Sequence, residues 1–319
     1  MKRICDINEF SSKNPYPVAT LGVFDGVHLG HQKIIECVLQ HTRKNKGESI
    51  IVTFDRNPKD FIEKRPPSFI TSLDHRLALI EEMGVDYAIV LAFDRQRADM
   101  TAEAFIRNML IERLGIKCIV LGFNCHFGKD RQGNIAFVRR LAHKYNYEVY
   151  ECTPVLFENQ AISSTAIRKS ILEGNLRRAE KMLGRPVSVR GTVVGKSGRG
   201  RELGYPTANL DLHHEIRPPR GVYGTRVRFA KQEYLALTNI GLRPTFEQEP
   251  FVGKDEALEI EVHILDFCET IYGKDLDVEF LFKIRDEIPF ETEEKLKLQI
   301  EKDKEILLKR IYVAPSCEK

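Results

Sequence analysis

Two hydrophobic rhythms divide the chain. Through about residue 184, short apolar runs rich in β-branched residues ("PVATLGVF", "SIIVTF", "YAIVLAF" and "CIVLGF") alternate with longer segments of helical period. One of these segments is "TAEAFIRNMLIERLG": Thr101 is placed to cap it, Phe105, Met109 and Leu110 fall on one face, and Gly115 ends it. Strand and helix alternating in this way predict an α/β domain, a doubly wound parallel sheet covered on both faces. Near "LGRPVSVRG" the grammar changes, with Pro186 and the glycines marking the break. After it "VSVRGTVV", "VYGTRVRF", "YLALT", "LEIEVHIL" and "VEFLF" alternate with period two, and their number and spacing predict a small β-barrel. A last helix starts at Thr292, with Glu293 and Glu294 in its first turn, and carries Leu296, Ile300 and Leu307 at helical intervals toward that barrel. The expected domains are 1–184 and 185–319.

Composition changes this picture little. At 319 residues and 42% hydrophobic content the chain can fill a core in each domain. Its 49 basic and 46 acidic residues nearly cancel, so a formal charge of +3 gives no general argument for nucleic acid or a membrane as partner. Seven cysteines, none in a C-x-x-C, speak against a disulfide framework or a zinc knuckle and fit a reducing cytoplasm. "MKRICDINEF" meets Asp6 and Glu9 before any long apolar run, so no secretory signal is expected, and no stretch reaches transmembrane length. A homo-oligomer stays open.

Local chemistry is more specific. In "GVFDGVHLGHQKII", residues 22–35, a strand gives way to a helix, and in an open α/β sheet this first turn is the usual phosphate site. Glycines let backbone approach a ligand, and the N–H groups that open a helix attract anions. His28 and His31 stand at that helix start, where two imidazoles can donate to phosphate oxygens and stabilise charge building at phosphorus. Two histidines three apart could instead ligate a metal, but no third ligand follows at a recognised spacing. Either could also be an ordinary buried polar residue; the combined G-x-F-D-G-x-H-x-G-H string is far more specific than its parts.

That string resembles the H-x-G-H element of the nucleotidylyltransferase superfamily, which binds a nucleoside triphosphate and assists nucleotidyl transfer. A second element, "ISSTAIRKSI" at 162–171, is similar to the I-S-S-T-x-I-R element of the same enzymes, and "LGFNCHFGKDRQGN" resembles their ATP-contacting loop. The resemblance implies ATP contacts at Gly22, Phe24, Asp25, Gly30, Asn124, Ser164 and Thr165, with His28, His31 and Arg168 as electrostatic catalysts. It also implies a flavin contact at Phe127, for which plain loop packing is an equal alternative.

The later glycine-rich run "RGTVVGKSGRGRELGYPTANL" is not a Walker A loop, because Gly191 and Gly195 enclose one residue too few, and no apolar helix follows. Nor is it a dinucleotide fingerprint. From 185 to 228 arginines and lysines far outnumber acids, which modestly favours phosphate attraction over a solvated barrel rim. "GYPTANL" at 204–210 matches the P-T-A-N element of riboflavin kinases, and "GVYGTRV", "TNIGLRPTF", "EVHILDF" and "IYGKDLDVEFLFKIRDEIPF" follow in the order those kinases show.

Over nearly its whole length the chain therefore resembles the bifunctional bacterial riboflavin kinase/FAD synthetase family, with a nucleotidylyltransferase-like front domain and a barrel of the six-stranded type behind it. The resemblance implies that riboflavin and ATP give FMN in the barrel, with Mg²⁺ held by Thr207 and Asn209, nucleotide contacts at Gly195, Lys196 and Gly204, and Glu261 as base. Alternation in "LEIEVHIL" permits this by setting Leu258, Ile260, Val262 and Ile264 on one face and Glu259, Glu261 and His263 on the other. FMN and a second ATP would then give FAD and pyrophosphate in the front domain. One departure stands out: where the family reads close to T-F-x-P-H-P, this chain has "TFDRNP", with Arg56 and Asn57 in place of proline and histidine. The rival readings are a riboflavin kinase whose front domain has become regulatory, and a flavin-sensing or RNA-binding module.

Overall fold

The computed structural model describes residues 1–64, 68–195, 204–242 and 258–312. The chain divides into two compact units, Met1–Ile167 with Lys181–Gly184, and Arg168–Glu180 with Arg185–Lys319.

In the first unit the strands are β1 (Lys2–Ile4), β2 (Pro17–Leu21), β3 (Glu48–Phe54), β4 (Tyr87–Leu91), β5 (Cys118–Gly122) and β6 (Glu148–Cys152). They form one parallel sheet in the order β1-β4-β3-β2-β5-β6. The apolar runs read from the sequence are its four central strands. β2, β3 and β5 are buried at every position, as strands covered on both faces must be. The helices of this unit are α1 (Leu29–Lys44), α2 (Pro58–Glu63), α3 (Leu73–Glu82), α4 (Arg95–Ala98), α5 (Ala102–Ala104) and α6 (Ile135–Tyr145), while α7 (Ser164–Leu172) and α8 (Leu176–Leu183) are each divided between the two units. A small hairpin, β7 (Leu156–Phe157) with β8 (Gln160–Ala161), precedes α7. The chain leaves β2 toward β3 and β4, then returns past it to β5 and β6. Strand order thus reverses at β2 and β5, and the crevice beyond their carboxyl ends is where such a sheet takes ligands.

Thr101 caps α5 as expected, its hydroxyl accepting from Ala104 N at 3.2 Å, but the helix continues as a π-helix over Phe105–Arg113. Its wider turn moves the inward face. Phe105, Ile106, Leu110 and Leu114 are buried, while Met109, expected inside on α-helical period, is only partly covered.

In the second unit β9 (Val187–Val194), β10 (Ala208–Asp211), β11 (Gly221–Phe229), β12 (Gln232–Leu242), β13 (Leu258–Ile264) and β14 (Asp275–Arg285) close into an antiparallel barrel, order β10-β13-β12-β11-β14-β9. Helix α9 (Glu293–Tyr312) packs on it through Leu307, which meets Leu237 and Leu265. Gly224 makes room for that contact, because a Cβ there would fall 2.8 Å from Leu307 Cδ1. Arg285 fixes the helix further, donating to both carboxylate oxygens of the buried Asp303 at 3.1 and 2.9 Å. Part of the basic excess is spent on the barrel wall. Arg190 pairs Asp277 in a two-pronged contact at 2.6 and 2.7 Å, and Arg226 and Arg228 flank Glu279. Six cysteines among the described residues are free thiols.

Candidate active sites

The first site is the turn between β2 and α1. His28 is the N-cap of α1: its Nδ1 accepts from His31 N at 3.3 Å, which leaves the proton of a neutral ring on Nε2. The two imidazoles stack at 3.6 Å between centroids, 17° apart, and Phe24 meets His31 edge-on. Gly30 gives this arrangement its room, since a Cβ there would lie 3.1 Å from His28 Cε1 and the ring would have to give by a few tenths of an ångström. Gly22 is similarly constrained: its Cβ would fall 3.2 Å from the Phe24 ring. Phe24 and Val27 adopt left-handed backbone, at φ 56 and 39, which a β-branched valine rarely does. Surrounding contacts hold the turn in that shape.

Asp25 supplies most of them. Its buried carboxylate accepts from Ile70 N and Thr71 N at 2.9 and 3.1 Å, while its carbonyl accepts from Ser164 Oγ at 3.0 Å. Gly26 N donates to Thr71 Oγ1 at 2.9 Å. The I-S-S-T element is thereby tied to the H-x-G-H turn, with Ser163 capping α7 by accepting from Ala166 N. Thr165 is exposed on the first turn of α7, and Arg168 stands one turn after Ser164.

Beyond β5 the loop carries Asn124, exposed, and Cys125, whose thiol burial pushes up to about 12, too high for a nucleophile at neutral pH. Phe127 turns into the core, bridged to Gly133 and packed on Phe105 at 5.7 Å. The exposed phenyl ring of that loop is Phe123, which the sequence does not single out because it reads as the end of an apolar strand. At the departure from the family pattern, Asn57 caps α2 by accepting from Lys59 N, and Arg56 lies over the Phe61 ring.

The second site lies on the barrel. Register sets Glu261 directly opposite Asn209 of β10 on one side and Asn239 of β12 on the other, so the three side chains share one face. The alternation read in "LEIEVHIL" holds, with Ile260, Val262 and Ile264 buried and Glu259, Glu261 and His263 half-buried on the opposite face. Thr207 leads into β10, and His263 Nδ1 lies 2.9 Å from the Pro206 carbonyl, fixing the "YPT" turn. Gly195 follows Val194, the partner of Asn209. Gly204 has left-handed backbone at φ 86, with open space around it. Lys196 lies outside the described residues. Asn239 went unnoticed in the sequence, because only pairing register reveals it.

Among the described residues Asn209 Oδ1 is buried with no hydrogen-bond partner, an arrangement that costs free energy unless something binds there. No cluster of three His, Cys, Asp or Glu occurs among the described residues. An amide oxygen two residues after a threonine suits a hard cation that keeps its waters and takes its other ligands from phosphate, the habit of Mg²⁺.

Family models agree with both halves. That for FAD synthetase matches residues 11–166 and that for riboflavin kinase residues 183–311. A Buchnera aphidicola protein (subsp. Schizaphis graminum) named bifunctional riboflavin kinase/FMN adenylyltransferase is 36% identical over 312 residues, 97% of this chain and 98% of its own. Proteins of the same name from Haemophilus influenzae and Escherichia coli K12 are 37% and 34% identical over 288 residues, each covering 90% of this chain and 91% and 90% of their own. A crystal structure from Streptococcus pneumoniae, described as a macrolide-efflux protein, superposes with a TM-score of 0.78 at 33% identity, covering 96% of this chain and 98% of its own. No helix among the described residues is long and apolar enough to cross a membrane.

Proposed function

This chain belongs to the bifunctional riboflavin kinase/FMN adenylyltransferase family, and from that premise we propose which residues carry each of its two reactions. The enzyme phosphorylates riboflavin with ATP to FMN and adenylylates FMN with a second ATP to FAD, releasing pyrophosphate. A kinase with a vestigial front domain is the poorer account, since the synthetase model matches there as well. We set the domain boundary at 184/185, just ahead of β9, which the start of the second family match at residue 183 supports. A reducing cytoplasm suits the free thiols.

In adenylyl transfer an FMN phosphate oxygen attacks the α-phosphorus of ATP, and pyrophosphate leaves. His28 would donate from Nε2 to a phosphate oxygen, with His31 stacked behind it and the open N–H groups of α1 facing the same anion. Asp25, Gly22, Phe24 and Gly30 shape that turn; Asn124, Ser164, Thr165 and Arg168 complete the ATP contacts. Phe127 holds the loop from within, leaving Phe123 as the ring open to a flat ligand. The single observation that carries this reading is the stacked histidine pair at the strand-order reversal.

In the barrel the riboflavin 5'-hydroxyl attacks the γ-phosphorus of ATP, and Glu261 would accept its proton. Thr207 and Asn209 would hold Mg²⁺, which when bound neutralises phosphate charge. Gly195, Lys196 and Gly204 would line the nucleotide's backbone contacts.

The test is a time course with riboflavin, ATP and Mg²⁺, separating flavins by chromatography. FMN should appear first and FAD later. His28→Ala should lower FAD formation about a hundredfold to a thousandfold and spare FMN formation. Glu261→Ala should do the reverse when FMN is supplied, and loss of both activities in either folded variant would overturn the two-site assignment.

A further inference from the structure

Strand pairing in the barrel begins one residue too late to hold Thr207. β10 pairs with β13 from Ala208 and with β9 from Asn209, so register fixes Asn209 from both neighbours, while Thr207 belongs to the turn before them. That turn has little of its own to fix it: Gly204 is left-handed in open space, and the exposed Pro206 has no N–H to donate.

Two side chains from other elements hold it instead. His263 of β13 places Nδ1 2.9 Å from the Pro206 carbonyl. A carbonyl only accepts, so Nδ1 carries a proton in either charge state of the ring. From α9, Glu301 Oε1 accepts from the Tyr205 hydroxyl at 2.7 Å. The Tyr205 and His263 rings meet edge-on, 5.4 Å apart at 73°, which links the two attachments. Both anchors are firm. His263 lies in a paired strand, opposite Leu237 of β12 and two residues beyond Glu261 on the same face. Within one turn of Glu301, the buried Asp303 accepts from Arg285 and Gln299, and Ile300 packs in the apolar cluster around Leu307. Glu301 itself is exposed, so its contact contributes little to the stability of the fold; what it fixes is where the turn lies.

We propose that Glu301 and His263 are positioning residues for riboflavin phosphorylation, holding the Tyr205–Pro206 turn so that Thr207 and Asn209 are preorganised for Mg²⁺ and the nucleotide phosphates. This rests on the reading of that turn as the kinase's metal and nucleotide site. Both residues act through the turn rather than on the reacting atoms. Loosening it removes binding that ground state and transition state share, so the loss falls on KM for ATP and on the Mg²⁺ requirement more than on kcat.

The experiment compares full-length Tyr205→Phe, Glu301→Ala, their double variant, Glu301→Gln, His263→Leu and His263→Asn. Riboflavin phosphorylation is read as FMN and FAD summed, at varied ATP and varied Mg²⁺, with FAD formation from FMN and thermal unfolding followed in the same preparations. Hydrogen exchange in the peptide covering 204–212, with and without ADP and Mg²⁺, reads the turn itself. Tyr205→Phe and Glu301→Ala should each raise KM for ATP and the half-saturating Mg²⁺ concentration about fivefold, with kcat within about twofold, and should speed exchange in that peptide. Because they break one contact, the double variant should lose no more than either single one. His263→Leu should behave in the same way. His263→Asn keeps an N–H near the place of Nδ1 and Glu301→Gln keeps an acceptor, so each should recover most of the loss. FAD formation from FMN should be unchanged throughout. Parent-like KM, Mg²⁺ requirement and exchange in folded Tyr205→Phe or His263→Leu would overturn the proposal. So would losses that multiply in the double variant, or a loss confined to kcat and melting temperature, which marks a merely structural role. Thr207→Ala is run alongside: if it leaves FMN formation intact, the placement of the kinase site fails independently of Glu301 and His263.

Discussion

A methyl group at position 30 would meet His28 Cε1 at 3.1 Å and Nδ1 at 3.2 Å. Gly30→Ala therefore presses the imidazole a few tenths of an ångström against its cap and its stack with His31. Pyrophosphate release from FMN and ATP is expected to fall, by less than the roughly hundredfold of a misplacement of about 1 Å, with riboflavin phosphorylation unchanged in the same sample. The spacing of His28, Gly30 and His31 was legible beforehand because it combines rare residue types at a helix start. The physical reason for the glycine was not, since it depends on where the ring of His28 lies. Asp25 shows the same limit. Its place in the motif is plain from the sequence, but its carboxylate is committed to Ile70 and Thr71, some 45 residues on, a partnership that local pattern cannot announce.

Among the elements, the barrel wall carries a testable pH dependence. Glu279 of β14 is held above the ordinary carboxylate range by burial, which Arg228 and Arg226 only partly offset. A carboxyl group whose folded value is raised stabilises the fold fully below its unfolded value, and that contribution is lost as pH rises through the folded value. Barrel stability should therefore decline across the window just above the ordinary glutamate range, and Glu279→Gln should flatten that slope in denaturant melts taken at several pH values. Helices and strands were legible in proportion to their burial. β2, β3, β4 and β5 stand out as apolar runs, whereas the edge strands β1 and β6 escaped notice, because β6 exposes most of its residues and β1 is three residues long. β10 was too short to read as a strand within "PTANL", although it carries Asn209 and closes the barrel. The π-helical stretch after α5 broke the expected 3.6 spacing, so Met109 and Ile106 exchanged places relative to the core.

At the scale of the whole molecule, two reactions lie on two units of one chain, joined by FMN, product of one and substrate of the other. If FMN passes through solution, His28→Ala and Glu261→Ala enzymes mixed in one tube should restore FAD synthesis from riboflavin, though neither makes it alone. Flavin chromatography against time reads this directly, and a mixture no better than either variant would mean that FMN is not released. This organisation was legible because each half keeps its own period and its own motif set. The strand order has one more consequence, for biosynthesis. β2 must pair with β5, made nearly a hundred residues later, so at about 5–20 residues per second a nascent first unit waits roughly 5–20 s with a central strand half unpartnered. During that interval its most apolar edge is open to other chains emerging nearby, and a ribosome-associated chaperone has a defined stretch to cover.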